Sequence, residues 1–597
     1  MYQPAADDAG KDLPARPSPR QLREPEPSLD PPSGNALLRR CGFVGLCLAV
    51  AAPLLLLMIG VLAPGGWTGW EVAILLFWLG TLPWTALCAA NALIGFALRM
   101  SQPGPAGGVP DLAPLPVPPR GATALTLCLR HEDTAQALSR LVPLLDGLEA
   151  AGAGHRFTLW LLSDSTEPGA VMREEAAITA FATLRAQRLI PVRYRRRVEN
   201  LGFKAGNVMD FLDRHAGGHE FFLCLDADSE MTAGAVLRLV SVMEADPKLA
   251  ILQPLIAGRP AATAFTRLFQ FGMRSGMRIW GTGQAWWQLD DGPYWGHNAL
   301  LRIEPFRTHA RLEALPDGSH ILSHDQLEAV RLRAAGWKVR CQPDDSGSLE
   351  GNPPSLPDFL LRDRRWGAGN MQYLHLLRLP GLTWMGRWQL AQAVLLFAAA
   401  PLWLLLLLAV VMNAATGGGS TTPAGALLAL LLGNWVALHA PKLLGYVELL
   451  LRTEGAASYG GPGRVVRGAL AEILFTALND PLVMVDKALF LLRLPFGLRP
   501  GWLPQNRESR GVRWADAARL LWPQAAVGAV TLGGLALAGG TAWLWGLPVW
   551  LPLLLGIPFA WATAAPAPSA WMRRRGLCVM PEELPLEEER VAMPRAA

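Results

Sequence analysis

Long apolar runs at both ends of the chain enclose a central region in which apolar residues come only in short groups. A helix that crosses a hydrocarbon core needs about twenty apolar residues. Six runs reach or approach that length, and they form pairs around loops that carry no Lys or Arg. We therefore predict six membrane-spanning helices, at residues 41–63, 72–98, 390–412, 427–451, 522–543 and 547–564.

A seventh apolar segment, residues 469–492, does not fit this pattern. Arginines precede it and follow it, so both of its ends have the charge that is typical of a cytoplasmic flank. Its charged residues Glu472, Asp480, Asp486 and Lys487 would be costly in lipid. We predict an interfacial or re-entrant element here, with a true membrane span as the alternative.

The arginines at the ends of the runs indicate an orientation. Arg39, Arg40 and Arg99 flank the outer ends of the first two runs, which puts the N-terminal tail and the central region in the cytoplasm. Three arginines after the last run, at 573–575, put the C-terminus there too. The predicted organisation is a disordered tail at 1–36, two spans within 37–100, a linker rich in Pro and Gly at 101–119, a soluble domain at 120–385, further membrane segments at 386–566 and a cytoplasmic tail at 567–597.

Composition supports a membrane protein and excludes other classes. Of 597 residues, 51% are hydrophobic and only 17% are charged, whereas about a quarter are charged in soluble domains. The net charge of +5 comes without a basic tract, which argues against nucleic acid as a partner. Seven scattered cysteines without Cys-x-x-Cys spacing indicate neither a disulfide framework nor a zinc site.

In the central region, short apolar runs alternate with helical stretches. Such alternation is typical of a parallel sheet with helices on both faces. No Gly-x-Gly-x-x-Gly or Walker-type loop follows a run, so phosphates would have to be held by another device. The predicted strands are residues 123–129, 157–163, 192–195, 221–226 and 250–255, and predicted helices include 134–148 and 172–184.

Carboxylates follow three of the predicted strands. Glu132 follows the first strand, Asp164 the second, and Asp226 and Asp228 the fourth. Taken alone, Asp228 could cap the helix that begins near residue 232 or bind a divalent cation. Because the carboxyl ends of parallel strands meet at one edge of a sheet, the convergence favours a nucleotide and metal site.

Two other pairs of polar residues have suggestive positions. Lys204 and Asn207 open the helix before the fourth strand, where helix amides and a lysine meet a phosphate readily, although Asn207 also suits a turn. Asn434 and His439 lie inside a predicted span, and intramembrane polar groups usually line a wet path. We therefore predict that Asn434 and His439 line a translocation path.

The order of these motifs resembles the inverting, processive glycosyltransferases of family 2, and among them the osmoregulated periplasmic glucan synthases of Gram-negative bacteria. Two positions depart from the wider family, because its Thr-Glu-Asp is Ser-His-Asp here and the Gln of its Gln-x-x-Arg-Trp is Arg362. Beside the acids named above, the resemblance rests on Tyr294-Trp-Gly-His-Asn-Ala299, Ile321-Leu-Ser-His-Asp325 and Arg362-Asp-Arg-Arg-Trp366.

The resemblance implies a GT-A type, Rossmann-like cytoplasmic domain inserted between transmembrane helices, with roles for single residues. Asp325 would be the catalytic base, and it suits that role because it opens a helix beside the strand ends. Asp226 and Asp228 would hold Mg²⁺ or Mn²⁺. The donor nucleotide would bind at Glu132, Asp164, Lys204, Asn207 and Asp226, and the diphosphate or acceptor at Arg362, Arg364, Arg365, Trp366, His297 and Asn298.

The same resemblance implies the reaction and the partners. It predicts an inner-membrane enzyme that transfers glucose from UDP-glucose to a growing β-1,2-glucan and passes the product across the bilayer. Partners would be UDP-glucose, the glucan acceptor, the lipid bilayer and, as in some relatives, an acyl carrier protein and a periplasmic glucan-processing protein. The alternatives are a synthase of another β-glycan, a lipid-linked sugar transferase, and a transporter that only senses nucleotide sugars.

Overall fold

The computed structural model describes residues 34–101, 119–315, 317–497 and 511–584. Most of the predicted N-terminal tail and linker, and the end of the C-terminal tail, lie outside these residues. The strands are β1 (Thr123–Leu129), β2 (Phe157–Ser163), β3 (Val192–Arg196), β4 (Phe221–Leu225), β5 (Glu230–Met231), β6 (Leu249–Pro254), β7 (Ala257–Gly258), β8 (Ala299–Arg302), β9 (Lys338–Gln342) and β10 (Ser348–Glu350).

Helices make up most of the remaining described chain. They are α1 (Gly34–Leu62), α2 (Gly69–Ser101), α3 (Thr134–Ala150), α4 (Pro168–Leu184), α5 (Phe203–Arg214), α6 (Ala233–Ala245), α7 (Ala264–Gln288), α8 (Ile303–His309), α9 (Asp325–Ala334), α10 (Leu356–Leu376), α11 (Trp384–Ala415), α12 (Ala424–Leu451), α13 (Thr453–Ser458), α14 (Pro462–Arg493), α15 (Trp514–Leu537), α16 (Ala542–Trp545), α17 (Leu547–Ala564) and α18 (Pro566–Arg574).

A seven-stranded sheet forms the core of the soluble domain, in the order β3-β2-β1-β4-β8-β6-β9. All five predicted strands are present within one or two residues of their predicted bounds. The prediction of a fully parallel sheet is wrong, because β8 runs antiparallel between β4 and β6. The motif before β8 explains this reversal, since the chain must turn back at Gly296, where φ is 83°.

Helices cover both faces of this sheet, as the alternation of runs predicts. Leu141 of α3, Ile178 of α4 and Leu239 of α6 belong to one buried apolar layer. Phe211 of α5 and Leu332 of α9 belong to the opposite layer. Burial of both faces accounts for the continuous apolar runs of β1 and β4, which lack polar alternation.

Seven helices of the described residues are long and apolar enough to cross a membrane, which fits a multi-pass membrane protein. Six of them contain or largely overlap the six predicted runs; the predicted run at 522–543 is shifted, because α15 already begins at Trp514 and ends at Leu537. The seven are α1, α2, α11, α12, α14, α15 and α17.

The seventh, α14, contains the ambiguous segment 469–492. It is one uninterrupted helix from Pro462 to Arg493, so the re-entrant form of our prediction is wrong. Near its start, Gly468 packs on Phe271 of α7, and near its end Asp486 binds Arg364 of α10. Both α7 and α10 follow strands of the soluble domain, so α14 contacts helices that are directly connected to that domain's sheets.

Candidate functional site

The carboxyl ends of β1, β2 and β4 meet in one crevice, and Asp226 lies at its centre. Its carboxylate pairs with the ammonium of Lys204, which also donates to the Gly296 carbonyl oxygen at 2.8 Å. Burial alone would lower the pKa of Lys204, but the neighbouring Asp226 outweighs this effect and raises that pKa. Lys204, at the start of α5, thereby connects Asp226 to the turn before β8.

Asp228 is nearly fully buried beside this centre. Its Oδ2 accepts from the backbone N–H of Gly351 at 3.2 Å. No group of three or more His, Cys, Asp and Glu side chains in the part of the chain that the structure describes could enclose a metal by itself. Two carboxylates separated by one residue nevertheless suit Mg²⁺ or Mn²⁺, since such ions are usually held by one or two carboxylates plus substrate phosphates and water.

His297 connects Asp226 to the small sheet formed by β5, β10 and β7. Its Nε2 lies 2.8 Å from Glu350 Oε2, and its Nδ1 lies 3.9 Å from Asp226 Oδ2. Burial would lower the pKa of His297, but Asp226 and Glu350 raise it to about 9. Asn298, in contrast, is fully buried and donates to Ser348 Oγ, so its contacts are structural.

The predicted nucleotide end of the crevice is organised by an arginine that the sequence analysis did not single out. Arg197 Nε and Nη2 bind both oxygens of Asp164, at 2.7 and 2.6 Å. The same guanidinium donates to the carbonyl oxygens of Leu201 and Phe203, so it fixes the loop between β3 and α5 against Asp164. Glu132 lies nearby at the end of β1 and accepts from the backbone N–H of Arg130.

Asn207 has a different position from the one predicted. It is buried, its Oδ1 accepts from Arg195 at 2.7 Å, and its Nδ2 donates to the Leu162 carbonyl oxygen at 3.0 Å. These bonds attach α5 to β3 and β2. The contacts of Asn207 therefore support the crevice and do not point to a nucleotide.

Asp325 is the first residue of α9 and faces the turn before β8. Its Oδ1 accepts from the backbone N–H of Gln326 at 3.0 Å. A Cβ at Gly296 would lie 3.5 Å from Asp325 Cβ and 3.7 Å from Oδ2, which shows how closely the two backbones approach. Lys204 binds both Asp226 and the Gly296 carbonyl oxygen, so Asp226 and Asp325 both lie next to the turn at Gly296.

Helix α10 holds the loop that carries Asp325. Tyr373 Oη donates to the Ser323 carbonyl oxygen at 2.7 Å, and Gln372 Oε1 accepts from the backbone N–H of Leu322 at 2.8 Å. Any Cβ at Gly369 would collide with Ser323 Oγ, so glycine is required there for the close approach. The Arg-Arg-Trp motif and the Ser-His-Asp motif are thus parts of one packed unit.

The side chains of the Arg-Arg-Trp motif go to different places. Trp366 is 49% exposed, and the Arg362 guanidinium lies 4.5 Å from its ring centre. Arg365 is half-buried on the same helix. Arg364 forms a bidentate ion pair with Asp486 of α14 at 2.8 and 2.6 Å, and its contact with the diphosphate or acceptor stays a prediction.

Polar groups of the membrane region pair with α14. His439 Nε2 lies 2.7 Å from Asp480 Oδ2, and Lys442 donates to Glu472 Oε1 at 2.8 Å. Asn434 lies on the same helix as His439, and its Oδ1 is buried without a hydrogen-bond partner. Partner charges on α12 and α10 explain how α14 tolerates the charged residues that made its sequence ambiguous.

His324 gives the domain a predictable pH dependence. Its Nδ1 lies 2.9 Å from Glu328 Oε2, and although burial lowers the pKa of His324, Glu328 raises it to about 9 from the usual 6.5. A raised folded-state pKa stabilises the protein fully below pH 6.5, and the contribution is lost as pH rises through 9. We expect about 3 kcal/mol at most to be lost across that window.

Thermal unfolding of the detergent-solubilised chain across that pH window would measure this loss. Glu328→Gln should flatten the curve between neutral and alkaline pH. The pKa of His297 lies in the same window, so Glu350→Gln, which removes the acidic partner of His297, is the comparison. The reductions of the pH slope in the two variants should add. An unchanged slope in Glu328→Gln would contradict the role of the pair.

Arg197 and Arg259 belong to the site but are not among the predicted site residues, and Glu350, which the sequence indicates as a polar candidate near the acceptor path without a specific role, joins them. Arg259 Nη1 pairs with Glu230 at 3.0 Å, and its Nη2 lies 2.7 Å from where a Cβ at Gly351 would be, beside Asp228. Each lies outside a recognisable motif. A search for isolated polar residues directly after predicted strands would have found only Arg197.

Comparisons with known proteins identify the family of the chain. A family model described as Glycosyl transferase family group 2 matches residues 221–438. Glucans biosynthesis glucosyltransferase H of Vibrio cholerae is 33% identical over 571 residues, which cover 92% of this chain and 77% of that protein. The protein of the same name from Xylella fastidiosa is 32% identical, over 92% of this chain and 88% of that protein.

A solved structure is more distantly similar. It is the mannosyltransferase PcManGT from Pyrobaculum calidifontis in complex with GDP-Man and Mn²⁺, with a TM-score of 0.42 and 16% identity, over 62% of this chain and 98% of that chain. That similarity is too low to support an inference, whereas the curated relatives confirm the resemblance drawn from the motifs. The chain is a hexosyltransferase with a GT-A-like domain, and it belongs to the glucans biosynthesis glucosyltransferase H family of family 2 glycosyltransferases.

Proposed function

We propose that this chain transfers glucose from UDP-glucose, with inversion, to the end of a β-1,2-glucan at the cytoplasmic face of the bacterial inner membrane. The observation that carries the proposal is the packing of α10 on the loop of Asp325. Through Tyr373 and Gln372, that packing joins the catalytic carboxylate to the exposed Trp366. A growing chain that stacks on Trp366 would thus end beside Asp325.

The reaction needs one base and one site for the leaving group. The acceptor hydroxyl oxygen attacks the anomeric carbon, the bond from that carbon to the β-phosphate oxygen breaks, and UDP leaves. Asp325 takes the proton of the hydroxyl. Its position at the start of α9, beside the Gln326 N–H and the turn at Gly296, orients the carboxylate, and no salt bridge to it is present among the described residues.

Charge on the departing diphosphate would be balanced around Asp228. A divalent ion held by Asp228 and Asp226 would supply a positive charge to the phosphate oxygens. Lys204 would add a second positive charge from the start of α5, and Arg259 a third from beside Asp228. Asp164, fixed by Arg197, would accept from the donor nucleoside.

Both ends of the membrane region attach to the soluble domain, which supports six crossings. Arg40 near the start of α1 pairs with Asp291 at 2.7 Å, and Glu583 after α18 pairs with Arg267 of α7 at 2.6 Å. A chain that starts and ends on one side must cross an even number of times. We therefore infer that α14 is the interfacial helix, and that the other six candidates cross.

The product would enter the membrane region between α12 and α14. His439, Asp480 and Asn434 supply polar groups there for sugar hydroxyls. An acyl carrier protein and a periplasmic glucan-processing protein remain predicted partners of this route.

Incubation of membranes with labelled UDP-glucose and linkage analysis of the product tests the proposal. Long β-1,2-linked chains are the expected product. Chains of another linkage would support a synthase of another β-glycan, and a single organic-extractable product would support a lipid-linked sugar transferase. Binding of UDP-glucose without release of UDP would support the transporter alternative.

Asp228→Asn should weaken the metal dependence of the enzyme. We expect the Mn²⁺ or Mg²⁺ concentration for half-maximal activity to rise at least about tenfold, because one of two ligand carboxylates loses its charge. Binding of uridine, which lacks the diphosphate, should not change. Glu230→Gln, two residues away, is the comparison, and equal effects of both variants would contradict the assignment.

A further inference from the structure

Five arginines from two distant parts of the sequence lie on two segments that touch each other. Arg464 and Arg467 lie in the first turns of α14, and Arg573, Arg574 and Arg575 end α18. The two segments touch, because a Cβ at Gly576 would lie 2.8 Å from Arg464 Nε, and Cys578 Sγ contacts the Gly468 carbonyl oxygen at 3.4 Å. We call these five side chains the arginine cluster.

In the part of the chain that the structure describes, no carboxylate pairs with the arginine cluster. Other arginines on this side are neutralised: Arg99 binds Glu448 at 3.0 Å. The acids that follow α18, Glu582 and Glu583, bind Arg274 and Arg267 of α7, both at 2.6 Å, and Glu472 of α14 binds Lys442. Among the residues that the structure describes, the five positive charges therefore have no carboxylate partner, whereas Arg99, Arg267 and Arg274 are paired.

Apolar side chains surround the arginine cluster. Trp571 is 51% exposed, and Arg575 lies 5.9 Å from its ring centre. Leu470 and Val466, on the same turns of α14 as the arginines, are 63% and 43% exposed. Tryptophan and aliphatic side chains next to arginines are the arrangement that sits at the level of lipid headgroups.

We propose that the arginine cluster is a binding site for the phosphate headgroups of anionic phospholipids. Guanidinium groups bind phosphate oxygens in pairs, and juxtamembrane basic clusters attract anionic lipids. The exposed Trp571, Leu470 and Val466 favour a lipid over a soluble phosphate or an acidic protein, because acyl chains would cover that apolar surface. This site is separate from the crevice of Asp226 and Asp325, and it does not depend on the proposed substrate.

Native mass spectrometry of the full chain in neutral detergent, titrated with phosphatidylglycerol or phosphatidylcholine, tests the site. We expect preferential retention of phosphatidylglycerol by the unmodified chain. The triple variant Arg573→Gln, Arg574→Gln, Arg575→Gln should bind it about 100-fold more weakly, since each basic residue near an anionic surface contributes about 1 kcal/mol. The corresponding Lys triple should retain most of the affinity, because it keeps the charge.

The matched control removes three exposed arginines elsewhere, at Arg173, Arg193 and Arg307. This control triple should bind phosphatidylglycerol like the unmodified chain, and an equal loss would overturn the proposal in favour of a bulk charge effect. Competition by millimolar inorganic phosphate as strong as that by lipid would also overturn it. The proposal would also be overturned if the arginine substitutions abolished binding of an acidic soluble protein but left lipid binding unaffected.

Discussion

Asp325→Asn is expected to lower glucosyl transfer by about three orders of magnitude, because a positioned general base contributes roughly 10²- to 10⁴-fold. The amide keeps the size of the side chain and can still accept from the Gln326 N–H, so the start of α9 should be unchanged. It cannot take the proton of the acceptor hydroxyl. Affinity for UDP should stay within about twofold, since the carboxylate contacts no group that we assign to the nucleotide.

The comparison for this variant is Asp213→Asn. Asp213 pairs with Arg311 at 2.7 Å on the surface, where both side chains are exposed and such pairs contribute little. Steady-state release of UDP and binding of UDP by calorimetry, measured on both variants, separate chemistry from affinity. An Asp325→Asn enzyme with normal turnover would refute the base assignment.

Arg364→Asp is expected to separate sugar transfer from chain growth. Asp363 of α10 pairs with Lys487 of α14, and the next residue, Arg364, pairs with Asp486 of α14. Each helix thus contributes the acid to one of the two pairs and the base to the other. Reversing one charge leaves Asp486, which is nearly buried, opposite another carboxylate. We expect a loss of about 2 to 3 kcal/mol of stability, less than for a fully buried pair because Arg364 is partly exposed.

A displaced α10 would move Trp366 relative to the membrane helices, so polymer length should fall at least about tenfold while UDP release continues. The double variant Arg364→Asp, Asp486→Arg should recover about half of the lost stability. Recovery should be incomplete because like charges then become neighbours on each helix. Gln524 assists the swap, because its Nε2 now donates to Asp486 and its Oε1 has no hydrogen-bond partner.

The surface pair of Arg311 and Asp213 provides the matched control for this charge reversal. Arg311→Asp should change stability by less than about 0.5 kcal/mol and leave product length unchanged. A double variant at Arg364 and Asp486 that is no better than the worse single variant would show that the ion pair does not position α10. Normal polymer length in Arg364→Asp would show the same.

Local sequence patterns were sufficient for most of the elements. The apolar runs of β1, β2 and β4 gave strands at nearly the observed bounds, since a strand buried on both faces needs continuous apolar residues. The direction of β8 was not predictable, because it depends on the turn at Gly296. Asp325 and Asp226 were identified because each lies in a dense motif.

The sequence by itself determined the membrane class of the chain, the family and the acids that converge on the crevice, because these follow from run length, composition and motif order. Only the tertiary structure decided the partners of each charge. Arg364 and Asn207 have the residue types that bind phosphate, but the structure pairs them with Asp486 and Arg195. Likewise, the charges of α14 looked incompatible with a long apolar helix until Lys442 and Arg364 were found to neutralise Glu472 and Asp486, and His439 to lie within hydrogen-bond distance of Asp480. Pairing energies depend on distances between residues far apart in the chain, and those distances exist only in the folded protein.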